Sequence, residues 1–429
     1  MSRSSPARSP DRSLEVLVLG INYAPEHTGI APYTATMSRG LARRGVSPRV
    51  ITTHPHYPDW RVRPGYGQWS RSEQIDTVDV KRVRHYVPFP PKGLRRVASE
   101  ITFGARATTT AWGSPDAIVM VSPAMISSAM CALKAKMTHR STPLIVWVQD
   151  LYAQGMAETG QGGRAARALA AIEGRLLRSA DRVVVIHDRF ADAIVSAFGV
   201  DRRRIVVVRN WTHLAPLPAC DIGATRERFG WQPDETVVLH TGNMGVKQGL
   251  VNVINTARLS EQRGAPVRFV LVGDGSERER LQALAHGVEA IQFIPPLDDI
   301  DYAAALMSAD ILLVNELAGV AEMAVPSKLT SYFSAGRPVV AATDLSGITA
   351  SEISVAQAGR VVPADDPEAL LDAALDLRAD PESAARLGAN GLRYRQTVLN
   401  EATAIEKFAD MLREVINLGD LDSSDVPSR

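Results

Sequence analysis

Continuous apolar runs, each long enough for one buried strand, alternate with segments of helical spacing, and this series occurs twice along the chain. Six such runs are predicted in the first half and five in the second, at Leu14–Gly20, Arg49–Thr53, Ala117–Ser122, Leu144–Gln149, Arg182–Ile186, Ile205–Arg209, Thr236–His240, Arg268–Val272, Ile291–Phe293, Ile311–Val314 and Val339–Ala342. Strands that are apolar on both faces and separated by helices indicate a parallel sheet covered by helices on both sides. The sequence therefore predicts an α/β protein of two doubly wound, Rossmann-like domains that face a central cleft.

A proline-containing stretch, THLAPLPACDI, interrupts the alternation between the two series. At 429 residues the chain is also longer than one ordinary hydrophobic core accommodates. The predicted organisation is a disordered lead at 1–13, an N-terminal domain at 14–211, a linker at 212–222, a C-terminal domain at 223–390, a helical segment at 391–417 and a tail at 418–429.

Composition excludes several classes of protein. A formal net charge of +1 gives no reason to expect broad nucleic-acid binding. The two cysteines, Cys131 and Cys220, lack metal-ligand spacing and indicate a reducing compartment. The basic, Ser/Pro-rich start has no apolar core typical of a secretory signal, and no run approaches the ~18 apolar residues of a spanning helix. We therefore expect a cytoplasmic protein, with peripheral contact at the inner face of the cell membrane left open.

The stretch 235–275 has the strongest signature of a ligand site. A strand ends in a glycine turn, a lysine follows at the expected start of an amphipathic helix, and the next strand ends in two more glycines. Glycines allow close backbone approach, and a helix start presents unpaired N–H groups to an anion. We expect a diphosphate to bind here, at Gly242, Asn243, Gly245, Lys247, Gly273 and Gly275. The spacing matches neither the dinucleotide fingerprint nor the P-loop, so a tight strand–helix turn without a ligand is the alternative.

A second anion site is predicted further along the same domain. A proline at a first helical turn, followed by a lysine, again directs N–H groups and charge at an anion. Two glutamates precede it and are candidates for accepting hydrogen bonds from ribose or sugar hydroxyls. These residues are Glu316, Glu322, Pro326, Ser327, Lys328 and Leu329.

Polar and aromatic side chains also follow the strands of the first half. Such loops suit sugar recognition, since aromatic faces pack on C–H surfaces while polar groups bind hydroxyls. The predicted acceptor-binding residues are Asn22, Glu26, His27, Thr28, Gly29, His54, His56, Tyr57 and Trp60. The two histidines can in principle hold a metal, but the flanking prolines favour a loop role. Asp150 directly follows a buried strand and is either a helix N-cap or a carboxylate that orients an acceptor hydroxyl.

Between Pro88 and Trp112 the chain is basic with interspersed apolar residues. Lys92, Arg95 and Arg96 suit anionic lipid headgroups, while the apolar residues, Phe103 among them, would enter the membrane interface. The alternative is an ordinary amphipathic helix packed on the first sheet.

Together these motifs resemble the retaining GT-B glycosyltransferases of family 4, over roughly residues 14–415. The motifs GINYAPEHTGI and HPHYPDWRVRPGY are similar to those of colanic-acid-type exopolysaccharide fucosyltransferases, and VQDLY, NW, TGNMGVKQGL, LVGDG and PSKLTSYFSAGRPV follow in order. The resemblance implies a GDP- or UDP-linked sugar donor bound mainly by the C-terminal domain. It places Lys247 on the donor diphosphate, with Asn243 where relatives have an arginine. The two donor-site glutamates of many relatives correspond here to Met323 and Ser331, and Glu322 lies one position away.

The resemblance implies transfer of a hexosyl or fucosyl group with retention at the anomeric carbon. Catalytic roles would fall to Lys247, Asp150 and Glu322, without a cofactor or a divalent metal, and the acceptor would be a polyprenyl-linked glycan. Two alternatives stay open, a nucleotide-sugar 2-epimerase using His27, His54 and Glu322, and a non-catalytic protein that binds nucleotide sugars.

Overall fold

The computed structural model describes residues 13–27, 29–90, 93–122, 124–151, 163–211, 217, 220–319 and 328–424, of which 164–166 and 418–424 by their backbone alone. Its contacts divide the chain into two compact units. Unit 1 comprises residues 1–210 and 401–429, and unit 2 comprises residues 211–400.

Unit 1 contains one eight-stranded sheet in the order β3-β4-β2-β1-β5-β6-β7-β8. Its strands are β1 Leu14–Leu19, β2 Val46–Thr53, β3 Ser70–Ile75, β4 Val78–Val83, β5 Ala117–Val121, β6 Leu144–Val148, β7 Arg182–Val185 and β8 Ile205–Val207. The β3–β4 pair is antiparallel and the other pairs are parallel. The described helices of this unit are α1 Ala31–Ala42, α2 Leu94–Thr109, α3 Met125–Thr138, α4 Arg164–Ser179, α5 Asp188–Phe198 and, from the end of the chain, α14 Glu401–Ser424.

Unit 2 contains a six-stranded, all-parallel sheet in the order β11-β10-β9-β12-β13-β14. Its strands are β9 Thr236–Thr241, β10 Val267–Val272, β11 Ile291–Ile294, β12 Ile311–Asn315, β13 Val339–Thr343 and β14 Gly359–Pro363. Its described helices are α6 Ile222–Phe229, α7 Val251–Gln262, α8 Arg278–Leu284, α9 Asp299–Ser308, α10 Lys328–Ser334, α11 Ile348–Ala356, α12 Pro367–Ala379 and α13 Pro381–Thr397. Apolar clusters cover both faces of the sheet, as the continuous apolar strands require.

Both sheets reverse their strand order next to the first strand of the unit. In unit 2 the reversal lies between β9 and β12, and in unit 1 it lies between β1 and β5. Open α/β sheets bind ligands outside the carboxyl ends of the strands at such a switch point, because the two neighbouring loops diverge there. The prediction of two doubly wound domains is confirmed. The topology also indicates where a ligand site is expected, at the loops after β1, β5, β9 and β12.

All eleven predicted strands are present, and β3, β4 and β14 were not predicted. β3 has the sequence SRSEQI and lies at the edge of its sheet, so it lacks the apolar run that identifies a buried strand. An alternative signal exists in β4, where Val78 and Val80 are buried and alternate with polar residues. Period-two alternation of this kind is typical of a half-buried strand.

The end of the chain differs from the predicted organisation. Residues 391–400 cluster with unit 2, whereas α14 packs on unit 1 and its backbone is helical to Ser424, beyond the predicted start of a tail at 418. A Cβ placed on Gly40 of α1 would overlap Ile405 of α14, so the glycine permits close contact between these helices. Most of the predicted lead and linker, 1–12, 212–216 and 218–219, lies outside the described residues.

Candidate functional site

Two glycine turns of unit 2 pack directly against each other. The first follows β9 and the second follows β10, and they are joined by hydrogen bonds from Gly242 N to Val272 O at 2.9 Å and from Met244 N to Asp274 O at 2.8 Å. A Cβ on Gly273 would overlap the carbonyl of Gly242, and one on Gly275 would lie 2.6 Å from Met244 N. Both glycines also have φ values of 139° and 156°, which L-residues rarely adopt. These glycines are therefore required for contact between the two loops.

The loop after β9 does not enter a helix at Lys247, as the sequence had suggested. Lys247 lies in a 3₁₀ turn, Val246–Gln248, and Gly249 follows in the left-handed conformation with φ 55°. A Cβ on Gly249 would lie 3.0 Å from the Cα of Leu317, so the chain turns against the loop after β12 before α7 begins. The predicted helix start at Lys247 is wrong, because the contact with Leu317 requires a glycine that ends the turn.

Some polar groups of the loop after β9 are already hydrogen-bonded within the loop. The Gln248 Oε1 atom accepts hydrogen bonds from Gly245 N at 3.1 Å and from Asn243 Nδ2 at 3.4 Å. The backbone oxygen of Lys247 accepts from Leu317 N at 2.9 Å, while the Lys247 side chain is exposed. Thus the Gly245 amide is already bonded, and Lys247 contributes an exposed charge beside the switch point.

A second lysine lies beneath the glycine turn. Lys328 Nζ is 3.3 Å from Nε2 of the buried His240 and lies 3.8 Å from where a Cβ on Gly242 would stand. The other ring nitrogen of His240 faces Leu313 O at 3.2 Å. That Nδ1 atom must donate to the carbonyl, which leaves Nε2 as the acceptor for the lysine. His240 thus fixes the position of the Lys328 charge.

Burial determines the protonation of this pair. Burial lowers the pKa of Lys328 to about 8, with Glu316 acting in the opposite direction. Burial and the nearby lysine hold the pKa of His240 well below its usual value. At neutral pH the arrangement is therefore a charged lysine on a neutral histidine, and this charge is weakly solvated. A weakly solvated charge interacts with an anion more strongly than one in bulk water.

Glu316 is also occupied by neighbouring side chains. Its carboxylate accepts hydrogen bonds from the hydroxyls of Thr343 and, at 2.9 Å, of Thr349. Burial raises its pKa, against the effect of these two hydrogen bonds. The structure thus gives Glu316 partners from β13 and α11, and its predicted contact with ribose or sugar stays a prediction.

In unit 1 a buried glutamate holds two predicted loops together. Glu26 Oε1 accepts from the backbone N–H groups of His56 at 2.7 Å and Tyr57 at 2.8 Å, and Glu26 Oε2 accepts from Asn22 Nδ2 at 2.9 Å. Carboxylates bonded to two backbone amides fix loop geometry strongly because these bonds are charge-assisted. Glu26 thereby determines how the loops after β1 and β2 lie relative to each other.

The histidines of this region are buried. His56 is 2 % exposed and its Nδ1 atom is 3.0 Å from His54 O, while His54 is 1 % exposed and its Nε2 atom is 2.8 Å from Gln68 O. Burial lowers the pKa of both rings. Exposed groups of the same loops include His27 and Gly29, with Tyr57 and Trp60 partly exposed. Acceptor contact by any of these residues stays a prediction.

Comparison with known proteins decides the family. Residues 28–211 match the family described as "Glycosyl transferase 4-like domain", and residues 235–380 match "Glycosyl transferases group 1". The chain is 32% identical over 337 residues to the putative colanic acid biosynthesis glycosyl transferase WcaI of Escherichia coli (strain K12), covering 75% of this chain and 82% of that protein. The chain belongs to the GT-B glycosyltransferases.

Solved structures support the same fold. The crystal structure of HepE from Anabaena in complex with UDP has a TM-score of 0.66 at 16% identity, covering 94% of this chain and 100% of that one. WaaG, a glycosyltransferase involved in lipopolysaccharide biosynthesis, has a TM-score of 0.63 at 18% identity, covering 92% of this chain and 99% of that one. The two family matches and the likeness to WcaI, rather than these structures, favour a glycosyltransferase over a 2-epimerase or a non-catalytic binding protein.

Several predicted residues of the glycosyltransferase are not where the sequence had suggested, or cannot be placed. Leu329 is fully buried in the core beside Tyr332, so its side chain cannot contact a donor. Asp150 is exposed after β6, and its role in acceptor positioning stays a prediction. Four further predicted residues lie outside the described residues: Thr28, Glu322, Pro326 and Ser327. Within the described part of the chain, no group of three or more His, Cys, Asp or Glu side chains is arranged to hold a metal ion.

The basic segment of the glycosyltransferase has two faces. Phe103, expected at a membrane interface, is instead 2 % exposed and packs in the core, as do Ser99, Gly104 and Ala107 of α2. Leu94 is 85% exposed and Phe89, on the preceding loop, is 64% exposed. Arg95 and Arg96 are exposed beside them, and Lys92 lies outside the described residues. We call Phe89, Leu94, Arg95 and Arg96 the α2 surface. None of the described helices is long and apolar enough to cross a membrane.

Two features of the glycosyltransferase were missed from sequence. The pairing of Lys328 with His240 joins residues far apart in the chain, and no local pattern indicates it. A pocket in unit 1 is lined by Trp69 and Arg84, which lie at the ends of the β3–β4 hairpin that was not predicted. Recognising the alternating pattern of β4 would have placed both residues near the loop after β2.

Proposed function

We propose that the protein transfers a hexosyl or fucosyl group from a nucleoside-diphosphate sugar to a lipid-linked glycan, with retention of anomeric configuration, during synthesis of an exopolysaccharide or cell-surface polysaccharide. The observation that carries this proposal is the pair of interlocked glycine turns with Lys328 beneath them, at the switch point of unit 2. The UDP in HepE and the colanic acid assignment of WcaI support it.

The glycine turns would hold the donor diphosphate. Gly242 is exposed and has no side chain, so a ligand can approach its backbone closely. The exposed Lys247 and the partly buried Lys328 supply positive charge from two directions. These charges stabilise the negative charge that grows on the departing nucleoside diphosphate, and groups of this kind each contribute on the order of 10²–10³-fold to the rate. Because the protein supplies this charge, no divalent metal is needed.

The acceptor would bind unit 1 beside its own switch point, at the loops after β1 and β2. The loops after β1 and β2 are fixed there by Glu26, which makes the exposed parts of these loops a rigid recognition surface. Asp150 follows β6 and would orient an acceptor hydroxyl. A polyprenyl-linked acceptor would lie at the membrane, and the α2 surface would bring the protein there by combining exposed apolar side chains with arginines.

Nucleotide binding tests the donor site. Thermal unfolding is measured with UDP, GDP, ADP, NAD and the matching nucleotide sugars, with and without a chelator. A ligand at ~100 times its dissociation constant stabilises the protein by roughly 2.7 kcal/mol, which is readily detected. We expect a shift with one nucleoside diphosphate that the chelator does not change. A folded protein that responds to none of these nucleotides would contradict the proposal, and a strict need for magnesium would contradict the metal-independent mechanism.

Retention and membrane contact need separate tests. The anomeric configuration of the product is measured by NMR before mutarotation, and inversion would refute retention. Sedimentation with anionic liposomes tests the α2 surface, and replacing Arg95 and Arg96 with Glu should release the protein. The matched control replaces the exposed Arg43 and Arg140 with Glu, which changes the net charge equally. Equal release by both double variants would show that total charge, rather than this surface, determines binding.

A further inference from the structure

Unit 1 contains a pocket that the donor site does not use. It lies beneath the loop after β2, between the end of β4 and helix α2, and has a volume of about 950 Å³. Pockets of ordinary small-molecule ligands have volumes of roughly 300–1,000 Å³. The space is therefore large enough for a sugar that carries a further substituent.

Aromatic side chains form the pocket walls. Tyr66, Trp69 and Tyr86 line it, and Trp69 is 68% exposed while Tyr86 is 44% exposed. The guanidinium of Arg106 lies 3.8 Å from the centre of the Trp69 ring, and its Nη2 atom donates to Trp69 O at 3.0 Å. These contacts hold the indole in place before any ligand arrives. A fixed, exposed indole provides a flat apolar surface for the C–H face of a sugar.

The pocket is positively charged. Arg63, Arg84 and Arg106 line it, and its lining includes no aspartate or glutamate. The nearby Glu73 is paired with Arg82 and, at 2.9 Å, with Arg71, so its charge is already compensated. Arg84 is exposed and forms no salt bridge within the described part of the chain. An exposed guanidinium in a pocket without acids favours an anionic group on the ligand.

The remaining polar groups favour hydroxyls. His54 Nε2 must donate to Gln68 O, so its Nδ1 atom is an acceptor, and this atom has no partner among the described residues. The Nε2 atom of His85 likewise lacks a partner there. Burial holds the pKa of His85 well below its usual value, so both rings are neutral at pH 7. Enclosed nitrogens without partners are typically satisfied by water or by a ligand.

We propose that this pocket binds the part of the acceptor in which a hexose is joined to an anionic group, a phosphate or a carboxylate. The aromatic walls receive the sugar ring, Arg84 and Arg106 receive the anion, and the histidine side provides neutral polar groups. This inference rests on the proposed function, because it assumes that unit 1 holds the acceptor of a glycosyl transfer.

The test measures direct binding of small probes to the full chain by saturation-transfer NMR titration. The probes are glucose 1-phosphate, glucuronate, glucose and inorganic phosphate. We expect one of the two anionic sugars to bind at least tenfold more tightly than both glucose and phosphate, and that sugar identifies the anion as phosphate or carboxylate. Equal binding of inorganic phosphate would reduce the pocket to a simple anion site and overturn the proposal. Absence of binding by both anionic sugars at about 10 mM, where even a ligand with a dissociation constant of about 1 mM is mostly bound, would also overturn it.

Two variants locate the binding. Arg84→Gln removes the charge from an exposed side chain, and Ala105→Phe fills the pocket from an exposed position on α2 without removing a polar group. Arg84→Gln should weaken binding of the anionic sugar at least about tenfold, the lower limit for a charged hydrogen bond. Ala105→Phe should also weaken it, because the phenyl ring occupies the space of the ligand. Arg43→Gln, at an exposed position outside the pocket, should leave the affinity unchanged. If both pocket variants bind like the wild type, the ligand lies elsewhere and the proposal fails.

The thermal shift caused by the nucleoside diphosphate, measured on the same variants, separates this inference from the proposed function. Arg84→Gln and Ala105→Phe should leave that shift unchanged, since the glycine turns lie in unit 2. Loss of anionic-sugar binding with an intact nucleotide shift supports the pocket. A wild type that binds anionic sugar in the pocket but no nucleotide would refute the proposed function while leaving the pocket established as a sugar site.

Discussion

Lys328→Met should make the protein more stable and less able to bind its donor. The pKa of this lysine falls from 10.5 in the unfolded chain to about 8 in the folded protein because of burial. Each pKa unit of difference corresponds to about 1.4 kcal/mol, so the desolvated charge destabilises the fold by at most about 3.5 kcal/mol at neutral pH. Methionine has a similar shape without the charge, and the lost hydrogen bond to His240 offsets about 1 kcal/mol. We expect a net gain of about 2 kcal/mol in the free energy of unfolding at pH 7.

The sign of the pH dependence follows from the same shift. Between about pH 8 and 10.5 the unfolded chain binds a proton on Lys328 that the folded protein lacks, so the stability of the wild type rises with pH across this window. The variant lacks this titration, and its advantage should disappear by about pH 10. Donor affinity of the wild type should weaken above pH 8 as the lysine loses its charge.

The assay is pulse proteolysis in urea at pH 7, 8.5 and 10, with fragment masses assigning each transition to unit 1 or unit 2. Nucleoside diphosphate binding is measured at pH 7 by titration calorimetry, and we expect at least a tenfold loss, as for one charge-assisted hydrogen bond. Lys247→Met is the matched control, since this side chain is exposed and its removal should weaken binding without changing stability. A wild type more stable than Lys328→Met at pH 7, or a difference independent of pH, would refute the reasoning.

Three further predictions concern the loops of the two units. Lys247→Ala should abolish transfer with an unchanged unfolding temperature, and a variant with normal turnover would remove this lysine from the site. Gly273→Ala should lower the unfolding free energy of unit 2 by more than about 3 kcal/mol, because the added Cβ overlaps a backbone carbonyl. The control is Gly264→Ala, at a positive φ in open space, which should lower it by about 1 kcal/mol. Equal losses in the two variants would contradict this reasoning. Glu26→Gln should lower the unfolding temperature of unit 1 and loosen the loop at 54–60 in hydrogen exchange, since two amides lose a charged acceptor. Unchanged exchange of that loop would show that other contacts fix it.

The fold could be predicted from the sequence because its strands are buried on both faces. A strand such as β5, with the sequence AIVMV, has no polar face, so its position is clear from the apolar run alone. The hairpin of β3 and β4 lies at a sheet edge and carries charged residues, and its pairing is determined by neighbours distant in sequence. The position of the helix at Glu401–Ser424 could not be predicted for the same reason. It packs on unit 1, which precedes it in the chain by the whole of unit 2, and a local sequence pattern gives no sign of this contact.

The candidate site was predicted unevenly for a similar reason. Gly242, Gly273 and Gly275 stand out in sequence because backbone contacts impose a residue type. The environments of Lys328 and Glu26 depend on which distant groups approach them, and residue type alone indicates neither a lowered pKa nor a bond to two amides. Sequence thus located the loops, whereas the protonation and the partners of their polar groups required the three-dimensional arrangement.

The return of the last helix to unit 1 has a consequence for biosynthesis. Residues 1–210 leave the ribosome first, but the helix that covers Gly40 and packs Phe408 edge-on against Trp147, with ring centres 5.4 Å apart, is made only after unit 2. Unit 1 must therefore wait, with this apolar surface uncovered, until all of unit 2 has been synthesised. A nascent chain halted before residue 401 would expose that surface to chaperones and proteases, so the cell can recognise an incomplete enzyme before its donor-binding half is ever used.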